Sequence, residues 1–222
     1  MDAILLSAGK SRRFKTHEVK QLIRLEGKPI FIHTIEKLFL HSKINRVILV
    51  VPPGDKNTYE NILSEYNINN TTTIEGGNTR QESVYKSLEL VETESVLIHE
   101  AVRPTISLDL IQRLLENQEE VAVVPVVDIP FTVSLGTDYM EETLKRERLR
   151  NVQLPQLFNT EVITRAHHFA KENKINATED SMLVFNIGMP VKFIEGEITN
   201  IKITYPIDIL LTKAILFGEW KL

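Results

Sequence analysis

The sequence predicts an α/β fold built on a twisted, mostly parallel sheet. Three features predict it. Apolar runs of strand length recur along the chain, those runs are continuous rather than alternating, and amphipathic helical patterns separate them. At 222 residues, with 42% hydrophobic and 25% charged side chains, the chain has the material for one sizeable core, and a single domain over 1–222 is expected.

Taken in order, the first strand is Ala3–Ser7, ending in the small residues Ala8 and Gly9. A helix is expected over Pro29–Ser42, with Pro29 in its first turn and Ile32, Ile35, Leu38 and Phe39 on one side. A strand at Arg46–Pro52, a helix at Asn57–Asn67, a strand at Thr71–Gly77 and a helix at Gln81–Val91 follow. Next come a strand at Ser95–Glu100, a helix at Ser107–Asn117 with Ser107 as N-cap, and a strand at Val121–Val127. The alternation then breaks. Between about 129 and 150, two extended arms flank a turn at Leu135–Asp138, which predicts a β-hairpin leaving the domain. A helix near Thr160–Asn173, a strand at Val191–Gly196, a short strand in "NIKITY" and a helix from Asp208 to Phe217 complete the reading.

Composition excludes several functions. With no cysteine there is no disulfide framework and no thiolate metal site. A net charge of −4 argues against a broad nucleic-acid surface. No apolar stretch approaches the ~20 residues of a membrane helix, and no basic leader precedes the first strand. A cytoplasmic protein with neither a nucleic-acid nor a membrane partner is the expectation.

Charge is concentrated locally instead. Lys10, Arg12 and Arg13 follow the first strand, and Lys20 comes soon after in "VKQL". In open α/β sheets ligands sit at the carboxyl ends of strands. Small residues there let backbone N–H groups approach phosphate oxygens, and fixed cations meet the charge of a triphosphate. A solvated basic loop has the same composition, so this stretch alone leaves both readings open. The glycine fingerprints of dinucleotide enzymes and of P-loop enzymes are both absent.

Distant motifs decide. "SAGKSRRF", "VKQL", "EGGNTRQESV", "HEAVRP", "LPQLF" and "TNIKITYPID" occur in this order between Ala3 and Ile215. Together they resemble the cytidylyltransferases that make CDP-linked sugar alcohols, a family that takes in the 2-C-methyl-D-erythritol 4-phosphate and ribitol-5-phosphate enzymes. The resemblance implies a Rossmann-like nucleotidyltransferase fold with a protruding β-arm at about 129–150. It also implies a homodimer formed through that arm, Mg²⁺ as cofactor, and CTP and a sugar-alcohol phosphate as substrates.

It further implies roles. Ser7, Ala8 and Gly9 hold the nucleotide through their backbone. Arg13, Lys20 and Lys202 are the catalytic cations. Gly77, Asn78 and Ser83 lie on the cytosine side, with Gly76 in the same turn and Arg80 bracing the loop; Ala101 and Arg103 are further nucleotide-side positions. Arg146 on the arm meets the acceptor phosphate of the other subunit, with Thr132 nearby, and Glu100 is the Mg²⁺ ligand. His99 is expected to be structural. Departures are visible: Asn78 and Glu100 stand where the family has Asp, Leu154 where Thr is common, Ile129 where an arm threonine falls, and Thr199 supplies no second carboxylate. The preferred acceptor is 2-C-methyl-D-erythritol 4-phosphate. Ribitol 5-phosphate is the alternative, favoured by Val102 and "KPIFIHTIEK". A nucleotide-binding homologue without activity is the reading from a different class.

Overall fold

A computed structural model describes residues 1–9 and 19–218. Lys10, Arg12 and Arg13 lie outside the described residues. The elements run β1 (Asp2–Leu6), a 3₁₀ turn at Lys20–Leu22, the two-residue strands β2 (Arg24–Leu25) and β3 (Lys28–Pro29), α1 (Ile30–Phe39), β4 (Arg46–Val51), α2 (Lys56–Glu65), β5 (Thr71–Glu75) and α3 (Arg80–Leu88). They continue with β6 (Ser95–Glu100), α4 (Leu108–Leu115), β7 (Ala122–Asp128), β8 (Ser134–Gly136), β9 (Met140–Thr143), a 3₁₀ turn at Arg146–Arg148, β10 (Arg150–Val152) and β11 (Gln156–Asn159). The chain then forms α5 (Thr160–Glu172), α6 (Asp180–Asn186), β12 (Lys192–Glu195) and α7 (Ile207–Phe217).

The main sheet has the order β10-β7-β11-β6-β1-β4-β5, with β12 also on β7. β1 lies in parallel register between β4 and β6, pairing Leu6 with both Val50 and Glu100, and β4 carries β5 in the same sense. The carboxyl ends of these four strands therefore share one edge. Their side chains explain the continuous apolar runs. Ala3 and Leu5 join Val47, Leu49, Leu97 and α1 in one core layer. Ile4 and Leu6 join Ile48, Val50, Ile98, α3 and α5 in the other. Both faces of β1 are covered, so Ala3 to Leu6 read as one apolar run, and its first residue, Asp2, is paired with Arg46 at 2.6 Å.

Helix boundaries follow local chemistry. Ser107 accepts a hydrogen bond from the Leu110 N–H, the expected N-cap of α4, and Thr79 caps α3 by accepting from the Glu82 N–H. Pro29 stands just before α1, where its missing N–H costs no helix bond.

Some expectations need correction. "NIKITY" forms no strand. Its one backbone bond to the neighbouring loop runs from the Ile203 N–H to the Val102 carbonyl, and its end is held by the Asp208 carboxylate accepting from the Thr204 and Tyr205 N–H groups. Sequence reasoning also missed β11, which runs antiparallel between β6 and β7, and the two-turn α6. The hairpin is present: among the described residues β8 and β9 pair only with each other, and every residue of both is exposed.

Candidate active site

A pocket of about 400 Å³ opens at the shared carboxyl edge, lined by residues from the β1 loop, the Lys20 turn, the β5–α3 loop, the end of β6 and the segment before α7. Each wall is locally built. The Gln21 side-chain amide donates to the carbonyls of Ser7 (2.7 Å) and Gly9 (3.1 Å), which fixes the backbone leaving β1. The Lys20 ammonium donates to the Ile203 carbonyl at 2.8 Å, so it sits against the segment that carries Lys202. Two cations from opposite ends of the chain thus line one pocket.

The β5–α3 loop is shaped by its glycines. A Cβ on Gly76 would lie 2.7 Å from Ser83 Oγ and 2.9 Å from Ala8 Cβ, so no larger residue fits between α3 and the β1 loop. The Ser83 hydroxyl accepts from the Gly77 N–H (3.0 Å) and donates to the Thr79 carbonyl (2.9 Å). Glu82 accepts from the Asn78 N–H at 2.7 Å. The loop is held from within, leaving Gly77, Asn78 and Thr79 on the pocket wall.

Glu100 is the electrostatic centre. Only 7% exposed, it accepts from Lys202 Nζ at 2.7 Å and from Arg103 Nε at 3.4 Å, and Arg80 Nε lies 4.0 Å away. Burial alone would raise its pKa; Lys202, Arg103 and Arg80 outweigh burial and hold the carboxyl below its usual range. Arg80 also donates to Asp180 at 2.6 Å and lies 3.7 Å from Glu179. Burial opposes ionisation of Asp180, yet Arg80 and His167 bring its pKa down to about 2, whereas burial raises that of Glu179. His99, fully buried, donates from Nε2 to the Arg103 carbonyl, and burial with the nearby Arg103 charge pushes its pKa down to about 3.

Of the residues singled out from sequence, Ala8, Gly9, Lys20, Gly77, Asn78, Ser83, Glu100 and Lys202 line this pocket. Ser7 is buried behind it, bonded to Tyr59 Oη at 3.1 Å, so only its backbone faces the β1 loop. Ala101 is buried, its carbonyl accepting from Thr34. Arg103 backs Glu100 and donates to the Asn200 carbonyl. Thr132 and Arg146 are exposed on the arm, where Arg146 donates to the Pro130 carbonyl at 3.2 Å. Gln21 and Thr79 were missed. Gln21 stands in "VKQL" beside Lys20, and Thr79 opens the Thr-x-x-Glu pattern of a helix N-cap, the signal that could have found it.

A profile of the 2-C-methyl-D-erythritol 4-phosphate cytidylyltransferase family (IspD) matches residues 1–217. The chain belongs to that family. Among similar proteins, the 2-C-methyl-D-erythritol 4-phosphate cytidylyltransferase of Desulforamulus reducens is 37% identical over 221 residues, covering 96% of this chain and 94% of the relative. That of Geobacillus kaustophilus is 35% identical over 219 residues, 97% and 96% of the two chains. Of solved structures, 4-diphosphocytidyl-2C-methyl-D-erythritol synthase from Anaerococcus prevotii superposes with a TM-score of 0.84 at 27% identity, over 97% of this chain and 95% of that one. The Thermus thermophilus cytidylyltransferase does so with a TM-score of 0.80 at 31% identity, over 96% and 97%. Membership in the IspD family makes the chain a CTP-dependent nucleotidyltransferase with the fold its motifs implied.

Proposed function

We propose that this chain transfers CMP from CTP to 2-C-methyl-D-erythritol 4-phosphate, forming the phosphate–phosphate linkage of the CDP-alcohol and releasing pyrophosphate, in the supply of isoprenoid precursors. The observation that carries the reading is the family match over residues 1–217 together with a pocket at the strand ends that Lys20 and Lys202 both line. A phosphate oxygen of the acceptor attacks the α-phosphorus in line with the leaving pyrophosphate. Two anions must meet, so positive charge fixed beforehand lowers the barrier more than charge gathered during the reaction. Glu100 and the Ile203 carbonyl hold the two ammonium groups in place. Gly77, Asn78 and Thr79 line the side of the pocket this reading gives to the base, and Ala8 and Gly9 the side it gives to the phosphates.

Mg²⁺ belongs to the same proposal. Among the described residues no group of three or more His, Asp or Glu side chains could form a metal cage, and Glu100 is the carboxylate that lines the pocket. Mg²⁺ ordinarily takes one or two carboxylates and completes its shell with phosphates and water, so this donor set fits an ion that arrives on the triphosphate. When bound, it neutralises charge on the phosphates. A homodimer, in which Arg146 and Thr132 of one arm reach the acceptor phosphate in the other subunit, and a cytoplasmic setting complete the reading.

The test is pyrophosphate release from CTP with each acceptor in turn. Turnover with 2-C-methyl-D-erythritol 4-phosphate and little with ribitol 5-phosphate supports the proposal. The reverse preference, or CTP binding without turnover on either acceptor, rejects it.

A further inference from the structure

A second cavity, of about 420 Å³, lies between α3 and α5, on the far side of the first turn of α3 from the nucleotide pocket; among the described residues the two share only Thr79 in their linings. Its charged lining is unbalanced. Lys86, Lys171 and Lys174 face it against the carboxylate of Glu82. Its apolar part is built around Tyr85, whose ring carries the Lys171 ammonium 4.4 Å from its centroid, with Ala170 and Ile175 beside it. An aromatic wall beside clustered ammonium groups suits a ligand with one flat apolar end and one anionic end, and the volume is that of ordinary small-molecule sites.

The cavity is wired to the loop across the helix. Lys86 Nζ donates to the Gly76 carbonyl at 3.1 Å, and Glu82 accepts from the Asn78 N–H at 2.7 Å. Both side chains line the second cavity, while the backbone groups they hold belong to the loop that walls the first. An anion that competes for Lys86 removes a hydrogen bond from Gly76. It also changes the charge facing Glu82, whose carboxylate anchors Asn78.

We propose that this cavity binds an organic phosphate with a flat apolar body, and that its occupancy alters the affinity of the nucleotide loop for CTP. The binding half stands on the cavity alone; the coupling half rests on the proposed CTP site. Coupling of this kind is reciprocal, so each ligand must change the affinity of the other by the same factor.

The probe is phenyl phosphate, titrated calorimetrically into the full chain with and without CTP, and into a Lys171→Glu/Lys174→Glu variant. Neither substituted residue lines the nucleotide pocket. The expected result is saturable binding, weakened about tenfold or more by the double charge reversal. CTP affinity should change with phenyl phosphate and then level off. Absence of saturable binding, equal binding to the variant, or equal binding of inorganic phosphate overturns the site. A CTP affinity that falls without limit means competition within the nucleotide pocket and overturns it too, and an unchanged CTP affinity overturns the coupling. If CTP does not bind at all, the proposed function fails, while the lysine dependence of phenyl phosphate binding still reports on the cavity.

Discussion

Glu100 and His99, neighbours at the end of β6, show how single residues are set by what surrounds them. Glu100 is ionised because three cations outweigh its burial. Its partner Lys202 is thereby held at the pocket, and replacing Lys202 with Ala should lower kcat/KM for CTP by roughly 10²–10³-fold, the cost of losing one preorganised charge. Steady-state kinetics with circular dichroism as a folding control checks it; a loss below about threefold would remove Lys202 from the chemistry.

His99 makes a statement about stability. Its folded pKa, about 3, lies below the usual 6.5, so the unfolded chain binds its proton first as pH falls. The stability tied to neutral His99 is therefore complete above about pH 6.5 and is lost as pH falls toward 3, on the order of a few kcal/mol in total. Glu179, raised by burial, titrates in the opposite sense and offsets part of this slope. The comparison that isolates His99 is with His99→Gln, which keeps a donor for the Arg103 carbonyl. Urea unfolding between pH 7 and 5 should show a shallower decline in the variant, and parallel declines would contradict the account.

At the scale of elements, α3 is the hinge between site and scaffold. Its cap, Thr79, faces the pocket, and its first residue, Arg80, reaches across to Asp180 at the start of α6. Asp180 is 1% exposed and also bonded to His167 of α5, so three helices meet on one buried carboxylate. Arg80→Ala leaves that charge without its guanidinium and should destabilise the fold by about 3–5 kcal/mol. Adding Asp180→Asn should recover part of the loss, because the stranded charge is then gone. Denaturant unfolding checks both, and a double variant as unstable as the single one would argue that Arg80 acts by packing instead.

The same elements show what a sequence can and cannot reveal. β1, β4 and β6 were legible because they are buried on both faces, which forces unbroken apolar runs. β11 has four residues and α6 has seven, too few for periodicity to register, and α6 has no side-chain cap hydrogen bond to mark its start. "NIKITY" looked like a strand from its β-branched residues, but its backbone is held by a loop carbonyl, by the Asp208 carboxylate and by the Lys20 and Arg103 side chains rather than by a neighbouring strand. In the site, Lys20, Lys202 and Glu100 were visible as parts of motifs. Gln21 stood in the same motif as Lys20 but drew no role, since an amide that braces two carbonyls leaves no sequence pattern of its own. The Arg80–Asp180 contact joins residues far apart in the chain, and no local reading could supply it.

Across the whole molecule, polar chemistry lines the carboxyl edge of the sheet, and the arm is one of the places where large apolar side chains are exposed. Phe131, Tyr139 and Met140 on the arm are 77%, 86% and 68% exposed, large apolar side chains that a lone chain leaves in water. If the arm joins two copies, Phe131→Asp/Tyr139→Asp should shift the protein from dimer to monomer in sedimentation velocity. A wild-type chain that sediments as a monomer across the micromolar range would contradict the dimer.

The claim on which the rest depends is that one pocket, walled by segments from both ends of the chain, holds the nucleotide. A crystal structure with CTP bound tests it most directly. The account predicts the cytosine against Gly77–Ser83 and the triphosphate between the Gly9 backbone, Lys20 and Lys202. A nucleotide seated elsewhere, or a triphosphate that touches neither lysine, would contradict it.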